Sequence, residues 1–184
     1  MNSGDDDKKD TSSSQSPSAP GSSAASSNPP SSAPPPKTGP QLYGEIEAEN
    51  AQLSGSAAAA SDRKGFTGTG FVNNLTQGAS VSWTADVPDA GQYYLKLMYG
   101  NGDASAKGGD GKRPFRPLVV TVNGKPSTAG PIKLYALGNW DNFGMTWGIV
   151  TLQKGVNTLT LSCGEAGGCP VNIDSMSLSK NQPS

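Results

Sequence analysis

Residues 80–99 read SVSWTADVPDAGQYYLKLMY, and their alternation decides the fold class. Val81, Trp83, Ala85 and Val87 alternate with Ser80, Ser82, Thr84 and Asp86, which is the pattern of a strand with one apolar and one wet face. Pro88-Asp89-Ala90-Gly91 then turns the chain, and Tyr93, Leu95, Leu97 and Tyr99 form the next alternating set. The period continues outward. A strand from Leu118 to Val122 runs into Asn123-Gly124, a strong two-residue hairpin signal, because both positions of the favoured turn need positive φ. Ile132 to Tyr135, Thr146 to Leu152, Val156 to Leu161 and Ile173 to Leu178 complete a series of short strands divided by Gly- and Asn-rich turns. Helical periodicity and βαβ units are absent. These features predict an all-β fold, an antiparallel two-sheet β-sandwich of the jelly-roll type, with Trp83 in its core.

Composition limits the domain count. In the 184-residue chain, residues 1–40 are built from Ser, Pro, Ala, Gly, Asp and Lys, and read as a disordered, partly polyproline linker that has too few apolar side chains for a core. Residues 41–181 suffice for one domain. Met1 to Asp10 carries no export signal, so the Ser/Pro run fits a piece of a longer secreted protein whose signal lies upstream. Charge is balanced, at 14 Lys and Arg against 15 Asp and Glu, and no basic patch or long apolar run exists, which argues against nucleic acid and membrane partners. Cys163 and Cys169 enclose a short loop that a disulfide would pin, contributing about 2 kcal/mol, whereas a zinc pair lacks further ligands. Asn74-Leu75-Thr76 is a glycosylation sequon, relevant in a eukaryotic source.

At the start of the domain Glu45, Glu47 and Glu49 alternate with Ile46 and Ala48, so a strand would project three carboxylates from one face with no basic residue adjacent in sequence. The arrangement is either a solvated acidic face or the oxygen-rich side of a hard cation site, for which calcium is the natural ion.

Seven motifs in order carry a resemblance. EIEAEN (45–50), GFTGTGFVNNL (65–75), VPDAGQYYLKLMYGNG (87–102), RPLVVTVNG (116–124), GNWDNF (138–143), LQKGVNTLTL (152–161) and NIDSMSL (172–178) together resemble family 35 carbohydrate-binding modules and their relatives in family 6. The resemblance implies a secreted β-sandwich appended to an enzyme that degrades plant cell walls. It implies a structural calcium held by Glu47, Glu49 and Asp174 with backbone carbonyls, one of them around Arg63 or Lys64, and leaves Glu45 as a solvated neighbour.

Sugars offer apolar C–H faces rimmed by hydroxyls, so their site needs a flat exposed aromatic and side chains that both donate and accept hydrogen bonds. Trp140, in the polar turn Gly138-Asn139-Trp140-Asp141-Asn142, is the expected platform, with Asn142 beside it and Phe143 and Trp147 turned into the core. The resemblance implies Asn172, before Ile173-Asp174, as an amide partner for sugar hydroxyls, the alternative being a strand-entry asparagine satisfied by backbone. By the same resemblance Arg116, with Arg113 nearby, is a candidate for meeting a sugar carboxylate, or else merely starts a strand, at the end of a Gly-rich excursion from Gly100 that either crosses a binding face or is a mobile insertion.

Catalysis is not expected. With no histidine there is no Ser-His-Asp triad, the glycines near Gly68 and Gly70 lack the lysine of a phosphate loop, and acidic pairs occur only at the proposed metal site or in the linker. The expected function is therefore a monomeric, non-catalytic module that targets a covalently attached glycoside hydrolase to a hemicellulose, β-mannan before xylan. The alternatives are a uronic-acid- or galactan-binding module, and an adhesive or lectin-like sandwich that binds cell-surface glycan or protein.

Overall fold

The computed structural model describes residues 44–104, 114–164 and 170–184. Arg113, Cys169 and most of the 100–116 excursion fall outside these residues, so the readings made of them are not taken further. Cys163 itself is disulfide-bonded.

The described residues form two antiparallel sheets. In chain order the strands are β1 (Ile46–Glu47), β2 (Gln52–Ser54), β3 (Ala58–Ala60), β4 (Phe71–Asn73), β5 (Ser80–Val87), β6 (Gly91–Gly100), β7 (Phe115–Val122), β8 (Lys125–Pro126), β9 (Ile132–Tyr135), β10 (Gly144–Leu152), β11 (Gly155–Cys163) and β12 (Asn172–Ser179). One sheet runs β10-β6-β12-β4-β3, with β1 also on β12; the other runs β2-β5-β11-β7-β8, with β9 also on β7. This is the two-sheet sandwich the alternation predicts. Val81, Trp83, Ala85 and Val87 from β5 and Tyr93, Leu95, Leu97 and Tyr99 from β6 are all buried in the shared core with Leu159, Leu161, Met176 and Leu178. Asn123 and Gly124 take φ of 51° and 76°, the left-handed pair that lets β7 fold back into β8.

A buried polar residue fixes one end of the core. Asn157, fully buried, donates to the carbonyls of Gln153 and Gly155 at 2.8 and 2.9 Å and accepts from Gln153 N and Asn123 Nδ2 at 3.0 and 3.1 Å. Its amide therefore replaces the ladder bonds that the β10–β11 connection lacks. Asn157→Ala should leave these groups without partners and cost about 2–3 kcal/mol, lowering the melting temperature by several degrees in a thermal scan.

Two expectations are corrected. Trp147 is not core: β10 turns Val150 and Leu152 inward, so Trp147 stands half-exposed on the outer face, edge-on to Tyr94 at 5.3 Å between ring centroids. Phe143 does pack inward, 5.5 Å from Phe71 and 6.4 Å from Phe66. The glutamate row is also not one strand. β1 ends at Glu47, and a 3₁₀ turn over Ala48–Asn50, closed by Ala51 N donating to Ala48 O at 3.0 Å, carries Glu49 out of the pleat.

Candidate functional site

Glu45 is exposed, as expected of a solvated neighbour, and Lys96 of β6 donates to its Oε2 at 2.6 Å. Ser177, which pairs with Lys96 on β12, is too short to block that reach across the sheet. The basic partner was invisible in the local sequence because it arrives through strand pairing.

Glu47, Glu49 and Asp174 converge on the loop between Thr67 and Gly70. A Cβ at Gly68, whose φ is +66°, would lie 2.5 Å from the Glu47 carboxyl, so only glycine lets the loop close over that side chain. Thr69 Oγ1 donates to Glu49 Oε1 at 2.9 Å. Asp174, fully buried, accepts from the Thr67 backbone N–H at 3.1 Å and from its hydroxyl at 3.0 Å. It sits where the pairing of β12 with β6 shifts register between Ile173 and Ser175, a bulge that re-aims the side chain.

Among the described residues, no three Asp, Glu, His or Cys side chains meet at one point as ready metal ligands. The electrostatics nonetheless favour a cation. Glu47 Oε2 and Glu49 Oε2 are buried with no hydrogen-bond partner, the costly state of a carboxylate oxygen. Burial first, then the charges of Glu49, Asp174 and Glu45, hold the Glu47 carboxyl above its ordinary range. Burial also raises Asp174; its bonds from Thr67 pull the other way, and the charges of Glu49 and Glu45 push up. A hard divalent ion taking oxygen ligands would satisfy both orphaned atoms and the repulsion.

The second feature is a cavity of about 260 Å³ lined by Arg63, Asn73, Asn74, Trp140, Pro170 and Asn172. It brings Trp140 and Asn172 together, as the sequence suggested. The Trp140 turn is stitched by local bonds, Asp141 N donating to Asn139 Oδ1 at 2.9 Å and Asn142 Nδ2 to Leu137 O at 3.0 Å, and tied to a distant loop by Lys64 N, which donates to Asp141 Oδ1 at 3.2 Å. Asn142 thus shapes the turn and does not line the cavity. Asn172 is almost wholly buried, its side chain packed over Gly100.

Arg116 stands apart from this lining, with Nε donating to Asn101 Oδ1 at 3.2 Å and Nη2 3.9 Å from Asp103 Oδ2. Arg63 is the cation at the cavity, a residue the sequence reading had considered only for its backbone. Asn73 and Asn74 were also missed there, although the family-like stretch GFVNNL contains both. Two roomier depressions, about 390 Å³ beside the β7–β8 hairpin and about 330 Å³ along the β9 and β10 edges, lack this cluster of amides around one indole.

The chain resembles parts of sugar-active enzymes. It is 36% identical over 141 residues to an exo-β-D-glucosaminidase of Amycolatopsis orientalis, covering 76% of this chain and 12% of that enzyme. Mannan endo-1,4-β-mannosidase B of Piromyces sp. is 34% identical over 116 residues, or 62% of this chain and 18% of that enzyme. The chain thus spans a small fraction of either relative. In structure it matches the family 35 carbohydrate-binding module of Cellvibrio japonicus Abf62 with a TM-score of 0.60 and 26% identity, covering 75% of this chain and 94% of that module. No protein-family model matches the chain.

Proposed function

The chain is a non-catalytic carbohydrate-binding module of family 35, and we propose that it holds an attached, secreted glycoside hydrolase on plant cell-wall polysaccharide, with β-mannan as the ligand. One observation carries this reading: a cavity lined by Trp140 and three asparagines, Asn73, Asn74 and Asn172. The indole suits the C–H face of a sugar ring, and an asparagine amide can both donate and accept toward hydroxyls. At about 260 Å³ the space matches one end of a glycan chain more than a long groove. Mannan is favoured because neutral amides outnumber charge in the lining, and the similarity to a mannan-degrading relative agrees with that choice.

Arg63 supports a second reading, in which a uronic acid or another anionic sugar is the ligand. Its side chain is 42% exposed and makes a loose 4.0 Å contact with Asp62, so the guanidinium is open to a carboxylate. Retention on insoluble mannan, xylan, galactan and a glucuronic-acid-bearing xylan separates the cases. Binding to mannan that survives Arg63→Ala supports the first; binding to the acidic xylan alone, lost in Arg63→Ala, supports the second. No retention on any of them favours an adhesive sandwich that recognises protein or another glycan. Asn172→Ala should weaken retention by roughly tenfold, the loss of one or two hydrogen bonds to a sugar hydroxyl, read from depletion isotherms.

The proposed mechanism is targeting by a monomer. A Ser/Pro-rich linker of about forty residues would keep a catalytic domain at raised local concentration over the solid substrate, so the module adds rate without chemistry. The module is further proposed to carry a structural calcium held by Glu47, Glu49 and Asp174. The two orphaned carboxylate oxygens fit that ion, and it would tie the first strand to the last. Among the described residues no helix is long and apolar enough to cross a membrane.

A further inference from the structure

Gly102 lies directly beneath the pyrrole ring of Trp140, so closely that any Cβ there would collide with indole atoms Cγ, Cδ1 and Cδ2. The platform therefore rests on bare backbone. What holds that backbone is Asn101, 1% exposed, through its side-chain amide and its carbonyl. Its Nδ2 donates to Leu134 O at 2.9 Å, at the end of β9. Its carbonyl accepts from Leu137 N at 2.8 Å, where the chain enters the Trp140 turn. Its Oδ1 accepts from Asp103 N at 3.3 Å and from Arg116 Nε at 3.2 Å.

Arg116 completes the arrangement. One edge of its guanidinium meets Asn101 and another comes within 3.9 Å of the Asp103 carboxylate, so a single planar group spans the two residues that flank Gly102. A lysine, with one point of charge and no fork, does not span both. The side chain is 20% exposed and held by its own protein, which removes it from the pool of free cations.

We propose that Asn101, Gly102 and Arg116 form a seat for Trp140, and that Arg116 acts in sugar binding as a positioning residue which fixes the indole and does not touch the ligand. This rests on the sugar-binding reading above and deepens it. A seat of this kind lowers the cost of binding, because the platform is already oriented when the sugar arrives.

The test uses the whole chain with 5-fluorotryptophan in place of its tryptophans, the Trp140 resonance being assigned by its loss in Trp140→Phe. Arg116→Lys should broaden or shift that resonance in the absence of any sugar while leaving those of Trp83 and Trp147 in place. It should also weaken mannohexaose and a glucuronic-acid-bearing xylo-oligosaccharide by the same factor, about tenfold. Gly102→Ala should displace the same resonance and weaken both ligands more strongly. Thermal melting of Arg116→Lys within a few degrees of the parent shows that the fold is not the cause. An unmoved Trp140 resonance in Arg116→Lys, or loss confined to the acidic oligosaccharide, overturns the proposal. If the parent chain binds neither oligosaccharide, the sugar reading fails while the resonance still decides the seat.

Discussion

Trp140→Ala should abolish measurable retention on insoluble mannan while leaving the melting temperature within a few degrees of the parent. The indole has one face against Gly102 and contributes to the cavity wall, so its removal deletes the only large apolar surface among the lining residues. A sugar ring that covers roughly 100 Å² of apolar surface gains about 2.5 kcal/mol at about 25 cal/mol/Å², which is a factor of roughly 70 in affinity. The amides alone do not replace it, because each exchanges a bond to water for a bond to sugar and gains about 1 kcal/mol or less. Stability should hold because Trp140 is half-exposed in a turn whose own bonds, through Asn139, Asp141 and Asn142, do not involve the indole.

Two other tryptophans provide the controls for that experiment. Trp83 is 4% exposed and its indole nitrogen has no hydrogen-bond partner, so Trp83→Phe removes an unsatisfied donor and should leave retention intact. Trp147→Ala strips the outer sheet face beside Tyr94 and should also leave retention intact. Retention that survives Trp140→Ala but fails in Trp147→Ala would move the ligand from the loops to that face and sink the cavity as its site.

The strands that alternate cleanly were legible because burial on one face imposes a period of two. Ser80–Val87 and Ile132–Tyr135 have the predicted bounds, and the longer strands differ by at most three residues at either end, with Val122 and Leu152 as predicted. Gln52–Ser54, Ala58–Ala60 and Phe71–Asn73 were not, since segments of three residues carry no period, and Ala58–Ala60 is mostly exposed. Trp147 was misplaced for a related reason. Gly148, which faces Ile132 at an inward position of β10, reads as a break in the pattern although it holds the phase that sends Trp147 outward. At the site, Trp140 and Asn172 were identifiable as chemistry in turns. The partners of Arg116 and Glu45 were not, because Asn101, Asp103 and Lys96 reach them through β6 across long stretches of chain.

Chelation should lower the melting temperature by roughly 10 °C or more, and its pH dependence should have a sign opposite to that of the calcium-loaded protein. An ion present at about a thousand times its dissociation constant contributes about 4 kcal/mol, or roughly 10–15 °C for a domain of this size. The effect is concentrated at a weak point, since β1 has only Ile46 and Glu47 paired, with Met176 and Ser175 of β12. Without an ion, Glu47 and Asp174 have carboxyl groups raised above their unfolded values, chiefly by burial. The folded chain then binds protons more readily than the unfolded one. This contribution is fully present below the ordinary carboxylate range and is lost as pH rises through the raised values, so the chelated protein should gain stability on acidification from neutral pH. With calcium bound, protons compete for the same oxygens, and stability should fall over the same interval. Thermal scans from pH 4 to 8, with calcium and with chelator, should therefore give curves that converge at low pH and separate toward neutrality. Glu47→Gln should follow the chelated curve more closely than the loaded one. Superimposable curves at every pH would rule out an ion at these carboxylates. Sugar retention measured in chelator well below the melting point distinguishes the ion's role: retained binding marks it as a clasp between β1 and β12, whereas outright loss means that it touches the ligand.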